Sequence, residues 1–317
     1  MSRQPFFSVV IPLYNKELYI EATLKSVLNQ TFENFEIIVI NDGSTDNSFN
    51  KVKDINDKRI KLYSTENKGV SHARNFGIKK SKANLIAFLD ADDIWYNHHL
   101  EDLKQLFVVY PNCGLYCKAY VKQQNNFIIE SVYKNIPKQV NWMGIIDDYF
   151  ESSLINCVAW TSAVAIPKQT LEDINNFDES ITLGAGEDID LWLRIALKHP
   201  VAFYNKISAI HKLHAKNRIS NSNTNDRKFI NLDKYESLTK KNKSLKAYLD
   251  LNRYSIAIQY RLIGNTTKAN DYIGKINENN LNKKQVFLLK SNIVFLKLLL
   301  HLKRYLKTIN INLSTYK

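Results

Sequence analysis

Apolar positions follow two rhythms along the first hundred residues. Short, mostly apolar runs at Phe6 to Leu13, Phe35 to Ile40, Ile60 to Tyr63 and Leu85 to Leu89 read as buried strands. Between them apolar residues recur at helical spacing. Leu18, Ile20, Leu24, Val27 and Leu28 follow the first run, Phe49, Val52 and Ile55 the second, and Val70 to Ile78 the third. The order β-α-β-α-β-α-β predicts a parallel sheet with helices on both faces. Ligands of such sheets sit beyond the carboxyl ends of the strands. Tyr14, Asp42, Asn67 and Asp90 to Asp93 fall at those ends, so polar loops collect on one rim.

Further on, Leu100 to Tyr110 predicts a helix stopped by Pro111 to Gly114. Leu115 to Val121, Phe127 to Tyr133 and Val158 to Ile166 predict strands, and Ile145 to Leu154 a helix. A helix from Glu187 places Ile189, Trp192, Leu193, Ile195 and Ala196 on its inner side. Gly184 and Gly186 before it allow close approach of backbone to a ligand. From about Asn221 the chain turns to Asn, Lys and Leu with few glycines. Tyr235 to Leu249, Tyr254 to Gly264, Thr267 to Ile276 and Lys283 to Leu306 predict helices, the last two pairing as a hairpin. No clear repeat period is visible, so a solenoid is not the expectation. Two units are expected: residues 1–220, and a basic helical region at 221–317.

Composition sharpens this division. The hydrophobic share of 44% suffices for a core. Of 44 basic and 31 acidic residues, 221–317 holds 19 and 6, leaving 25 of each for 1–220. The excess positive charge therefore belongs to the helical region and not to the polar rim. Cys113, Cys117 and Cys157 are too few for a disulfide framework and read as reduced thiols. Phe6 to Leu13 is too short for a secretory signal and is interrupted by Pro12, so a cytoplasmic chain is expected. No run reaches the roughly 18 apolar residues of a membrane span.

The densest chemistry is Asp90-Ala91-Asp92-Asp93. In an extended chain Asp90 and Asp92 share a face, and like charges so close need a cation or donors to relieve them. Mg²⁺ takes one or two protein carboxylates plus ligand phosphates, so the cluster reads as a metal–diphosphate site. It reads equally as an acidic turn in which Asp93 or Asn97 caps the next helix. Glu187 and Asp188 likewise suit a helix's first turn through its dipole alone. His211 and His214, with bases nearby, could contact metal or phosphates.

Together these segments resemble family-2 glycosyltransferases of the GT-A fold. The resemblance is carried by Val9-Val10-Ile11-Pro12-Leu13-Tyr14-Asn15, Val39-Ile40-Asn41-Asp42-Gly43-Ser44-Thr45-Asp46, Asn67-Lys68-Gly69-Val70-Ser71-His72-Ala73-Arg74-Asn75, Leu89-Asp90-Ala91-Asp92-Asp93 and Gly186-Glu187-Asp188-Ile189-Asp190. It spans roughly residues 6–220. It implies an α/β, Rossmann-like, mostly parallel sheet flanked by helices, to which the C-terminal residues add an all-helical extension. It further implies a nucleotide-sugar donor, a divalent cation (Mg or Mn) and inversion at the anomeric carbon. By the resemblance, Pro12 and Tyr14 line the nucleotide base with Glu17 nearby, and Asp42 accepts a base N–H. Arg74 sits near base or phosphate. Asp90 faces the ribose, next to Ala91, and Asp92 holds the metal. Asp188 matches the catalytic base, with Glu187 beside it in the acceptor site. His214 matches a late metal- or diphosphate-contacting histidine, with His211 as its competitor.

The implied activity is transfer of a sugar from a nucleoside-diphosphate sugar, UDP being expected, to a glycan or lipid-linked hydroxyl in cell-surface polysaccharide synthesis. A sugar nucleotidyltransferase is the rival enzyme, but it needs a Gly-rich basic loop after the first strand, which Tyr14-Asn15-Lys16-Glu17 is not. A silent GT-A scaffold or binding protein is the other rival. The basic helices suit either an apolar cap on the catalytic region or a second subunit, or an anionic membrane surface that a peripheral enzyme would use. Nucleic acid is not expected as a partner, for lack of a recognised motif.

Overall fold

The computed structural model describes residues 4–219, 222–308 and 315–316. The expected division at residue 220 lies outside the described residues.

The first half follows the alternating pattern. β1 (Phe7–Leu13), α1 (Ile20–Leu28), β2 (Phe35–Asp42), α2 (Ser48–Lys53), β3 (Ile60–Thr65), α3 (Val70–Lys80) and β4 (Leu85–Phe88) succeed one another as the sequence predicts. Then come β5 (Ile94–Trp95), α4 (His99–Val109), β6 (Leu115–Gln124), β7 (Phe127–Glu130), β8 (Met143–Ile145), α5 (Tyr149–Ser152), β9 (Val164–Pro167), α6 (Lys168–Asp173), α7 (Glu187–Ala196) and β10 (Val201–Lys212). The chain ends in α8 (Lys243–Leu262), α9 (Thr266–Ile273), α10 (Lys283–Lys290) and α11 (Ile293–Thr308).

The strands form one mixed sheet in the order β3-β2-β1-β4-β9-β6-β10-β5, with β7 on β6 and β8 on β10. β1, β2, β3 and β4 are mutually parallel, each joined to the next through a helix. β9 enters antiparallel between β4 and β6. β1 is covered on both faces. Val9, Ile11 and Leu13 pack with Leu24, Val27 and Leu103, and Val10 packs with Ala73, Ile78 and Phe88. Gly77 lets α3 lie directly on β1, since a Cβ there would stand 2.4 Å from Val10 Cγ1.

Four expectations change. Val158 to Ile166 is strand only from Val164, after a 3-10 turn at Thr161–Ala163. Ile145 to Leu154 is helical only over Tyr149–Ser152, because Met143–Ile145 pairs with β10. Tyr235 to Leu249 and Tyr254 to Gly264 become a 3-10 run at Leu232–Lys241 followed by the continuous α8. Lys283 to Leu306 is two helices, since Asn292 breaks the run and caps the second by accepting from Phe295 N at 2.8 Å.

The helical region shares the apolar core of the sheet region. Leu245, Tyr248 and Leu249 of α8 cluster with Val158, Phe150 and Trp192. Among the described residues no helix is long and apolar enough to cross a membrane.

Candidate active site

The polar loops meet on the carboxyl rim of β1, β2 and β4. Asp42 ends β2, and its buried carboxylate accepts from Lys68 N (3.0 Å), Gly69 N (2.9 Å) and Thr65 Oγ1 (3.2 Å). It fixes the turn that starts α3. Each carboxylate oxygen offers two lone pairs, so Oδ2 keeps one for a further donor. Pro12 is half-buried at the end of β1, and Tyr14 beyond it is exposed. Glu17 is engaged by the loop after β2, accepting from Asn47 N at 2.9 Å.

α3 delivers Arg74 into the rim, 4% exposed. Its Nη2 donates to Asp90 Oδ1 at 2.8 Å, and its Nη1 lies 3.6 Å from Glu187 Oε1. Phe177 supports the guanidinium from below, 5.1 Å from ring centroid to Cζ. One cation therefore joins the acidic turn after β4 to the first turn of α7, nearly a hundred residues apart in sequence. Asp188 stands beside Glu187, and its charge is one of those that hold the Arg74 pKa up against burial.

Burial pushes Glu187 up to about 7, and Asp188 adds to this while Arg74 opposes it. Burial also raises Asp188, again against Arg74. Glu187 Oε2 and Arg74 Nε and Nη1 are buried without a hydrogen-bond partner among the described residues. Desolvated donors and acceptors of this kind are costly unless a ligand pairs them. Asp188 Oδ1 accepts from its neighbour, Ile189 N, at 2.8 Å.

The glycines before α7 have a different role from the one their sequence suggests. Gly186 adopts φ +103° as the residue preceding the helix, and a Cβ there would meet Ile230 Cγ2 at 2.9 Å. Gly184 stands equally close to Ile219. They admit the protein's own chain.

The acidic turn is held by residues the sequence did not mark. Asp93, 1% exposed, accepts from Ser162 Oγ (2.7 Å) and from Lys212 N (3.0 Å). Ser162 Oγ in turn accepts from Asp90 N at 3.1 Å. The turn after β4 is thus tied to the entry of β9 and the end of β10. Burial first, then Asp92 and Asp90, push Asp93 well above the usual carboxylate range. Ala91 is buried, and its carbonyl accepts from Thr23 Oγ1 at 3.0 Å. No sequence signal pointed to Ser162; the DADD run did point to Asp93, as a helix cap.

Asp92 faces a cation of the chain itself. Lys16 Nζ donates to Asp92 Oδ2 at 2.7 Å. The donor set fits a hard divalent ion. It offers one carboxylate, whose Oδ1 has no hydrogen-bond partner among the described residues, on a rim that a diphosphate could share. Among the described residues no three His, Cys, Asp or Glu side chains gather into a protein-only cage, so substrate oxygens would complete the coordination. His214 is exposed. His211 is the inward histidine. It stacks on Trp160 at 4.8 Å and pairs through Nε2 with Arg218 Nη2 at 2.9 Å. Burial and then Arg218 lower its pKa to about 3, so its ring is neutral.

Fold and site together define a GT-A glycosyltransferase-type protein. A family model described as Glycosyl transferase family 2 matches residues 8–170, and the chain belongs to that family. It is 36% identical over 235 residues to an uncharacterized glycosyltransferase of Rickettsia bellii, a match covering 72% of this chain and 30% of that protein. It is 34% identical over 228 residues to the Escherichia coli UDP-Glc:alpha-D-GlcNAc-diphosphoundecaprenol beta-1,3-glucosyltransferase WfgD, covering 71% and 81%. The chain spans about a third of the length of the Rickettsia bellii and Rickettsia felis relatives it matches. Among solved structures, S. aureus TarS 1-349 in complex with UDP aligns with TM-score 0.56 at 18% identity, covering 90% of this chain and 75% of that one. That likeness concerns the fold.

Proposed function

We propose that this protein transfers a sugar from a UDP-sugar to a hydroxyl of a lipid-diphosphate-linked saccharide, with inversion, in cell-surface polysaccharide synthesis. The observation that carries the reading is the Arg74 bridge, which sets Asp90 and Glu187 around one guanidinium. Donor carboxylates and acceptor-side carboxylates thereby face a common space. The E. coli relative, named for a UDP-glucose donor and an undecaprenol-linked acceptor, supports the choice of substrates.

In this reading Asp188 takes the acceptor proton as the hydroxyl oxygen attacks the anomeric carbon. The bond from that carbon to the diphosphate breaks on the opposite face, which inverts the centre. Arg74 holds Glu187 beside Asp188 and Asp90 toward the ribose. Asp42 and Tyr14 border the base. Asp92 would hold a divalent cation, which would supply charge neutralisation to the departing diphosphate. Residues 1–220 carry the chemistry, and Ile230 and Tyr235 of the helical region brace α7 and its loop.

The helical region also supports docking on the cytoplasmic face of an anionic membrane. Phe287, Val294, Leu298, Leu302 and Tyr305 are exposed large apolar side chains on α10 and α11. From 283 to 307 the sequence has basic residues and no acidic ones. That combination suits a negatively charged interface, and like charge opposes self-association through the same face.

The test is a panel of UDP-sugars with Mn²⁺ and a short-chain alkyl diphosphate of α-GlcNAc as acceptor, followed by UDP release and product NMR. A β-linked product from an α-linked donor is expected. Absence of nucleotide binding and of transfer across the panel overturns the proposal. Flotation with vesicles of phosphatidylglycerol against phosphatidylcholine tests the docking face: Leu298→Ser with Leu302→Ser should abolish binding to the former.

A further inference from the structure

Lys16 is a charged feature of the rim that the donor and acceptor roles leave unused. It sits in the loop between β1 and α1, and it and Asp92 are only 12% and 14% exposed. An ammonium has three protons to donate, and all three are spent. One goes to Asp92 Oδ2 at 2.7 Å, one to the Lys216 carbonyl at 3.0 Å and one to the Asn217 carbonyl at 3.1 Å. Three oxygens, one of them anionic, thus converge on a single positive charge. That is the arrangement of a small cation site with an ammonium at its centre.

The two carbonyls belong to the segment after β10. This segment is tied down beside Lys16 at two further points. Lys216 N donates to Tyr19 Oη at 2.9 Å, and Asn217 Nδ2 reaches the Asn15 carbonyl at 3.5 Å. It therefore lies against the β1–α1 loop, next to Tyr14, where the nucleotide base is placed above. Lys16 is the charged link between that strap and the acidic turn after β4.

We propose that Lys16 is the resident counter-ion of Asp92 and the latch of the 213–219 strap. A divalent cation arriving with a nucleoside diphosphate displaces the ammonium from Asp92. The two carbonyls lose their donor and the strap loosens, while the freed ammonium remains within one side chain's swing of the phosphates. A divalent cation alone must compete with Lys16 and binds weakly, so cation and nucleotide enter together. This rests on the assignment of Asp92 as the cation-holding carboxylate.

The test compares the wild type with Lys16→Met, which removes the charge at similar length, and Lys16→Arg, which keeps it. Mn²⁺ binding without nucleotide is followed by the free-ion EPR signal. Backbone hydrogen exchange of residues 213–219 is followed without metal or nucleotide. Lys16→Met should bind Mn²⁺ at least tenfold more tightly and exchange the Lys216 amide at least tenfold faster, while Lys16→Arg stays near the wild type in both. Wild-type exchange at Lys216 should rise when Mn²⁺ and UDP are added together. Unchanged exchange in Lys16→Met overturns the latch. Faster exchange with unchanged Mn²⁺ affinity overturns the displacement of Lys16 by the cation, and the Asp92 assignment with it. Binding of UDP itself, read by thermal shift, reports separately on the glycosyltransferase reading.

Discussion

Replacing Glu187 by glutamine removes one proton-binding group from the buried acidic pair and leaves its size almost unchanged. In the wild type the folded protein holds this proton up to about pH 7, whereas the unfolded chain releases it near 4.5. Below 4.5 both states are protonated and the group is neutral in its effect. Between 4.5 and 7 the folded state binds more protons, so stability falls as pH rises, and above 7 the loss is complete. A displacement of that size corresponds to about 3 kcal/mol. Glutamine cannot titrate, so Glu187→Gln should escape the loss. Urea unfolding should find the two proteins alike at pH 4 and the variant more stable by about 3 kcal/mol at pH 8. Stability curves that stay parallel from pH 4 to 8 would refute the buried, proton-holding description of Glu187.

Asp92→Ala and Asp188→Asn should each abolish transfer, but only the first should weaken Mn²⁺-dependent UDP binding in a thermal-shift titration; full turnover in Asp188→Asn removes it as the base. Ser162→Ala strips a partner from the buried Asp93 carboxylate and from Asp90 N, which should cost about 1–3 kcal/mol in urea unfolding and raise the KM for the donor. Gly77→Ala drives a methyl against Val10 and should cost about 1–3 kcal/mol, read as a lowered Tm with unchanged substrate affinity in the folded fraction.

The chain's own order determined the sheet's first half. Each of β1 to β4 is an apolar run followed by a helix-spaced segment, and such patterns are local properties of consecutive residues. The rim residues Asp42, Asp90 and Asp92 were legible for the same reason, because they stand where those runs end; Arg74, inside α3, was legible only through family resemblance. Glu187 and Asp188 were legible through family resemblance, since an acidic first turn is also what a helix dipole favours.

What stayed hidden depends on contacts between distant segments. β10 pairs with β6 along nearly its whole length, yet its register shifts between Tyr204 and Ile207 and again before Ala209. Such bulges break the two-residue alternation that marks a strand. α8 looked interrupted around Asp250 and Arg253, whose side chains are nonetheless 0% and 1% exposed. Asp250 is satisfied by Lys246, Arg253, Asn277 N and Asn280, and Arg253 pairs through Nη2 with Asp233 and Glu236, so polar residues could enter a buried helix face. Lys16 and Ser162 acquire their meaning only from partners that lie roughly 70 to 200 positions away. Periodicity records which way a side chain points from its own segment; only the folded chain decides which charge or hydroxyl it finds there.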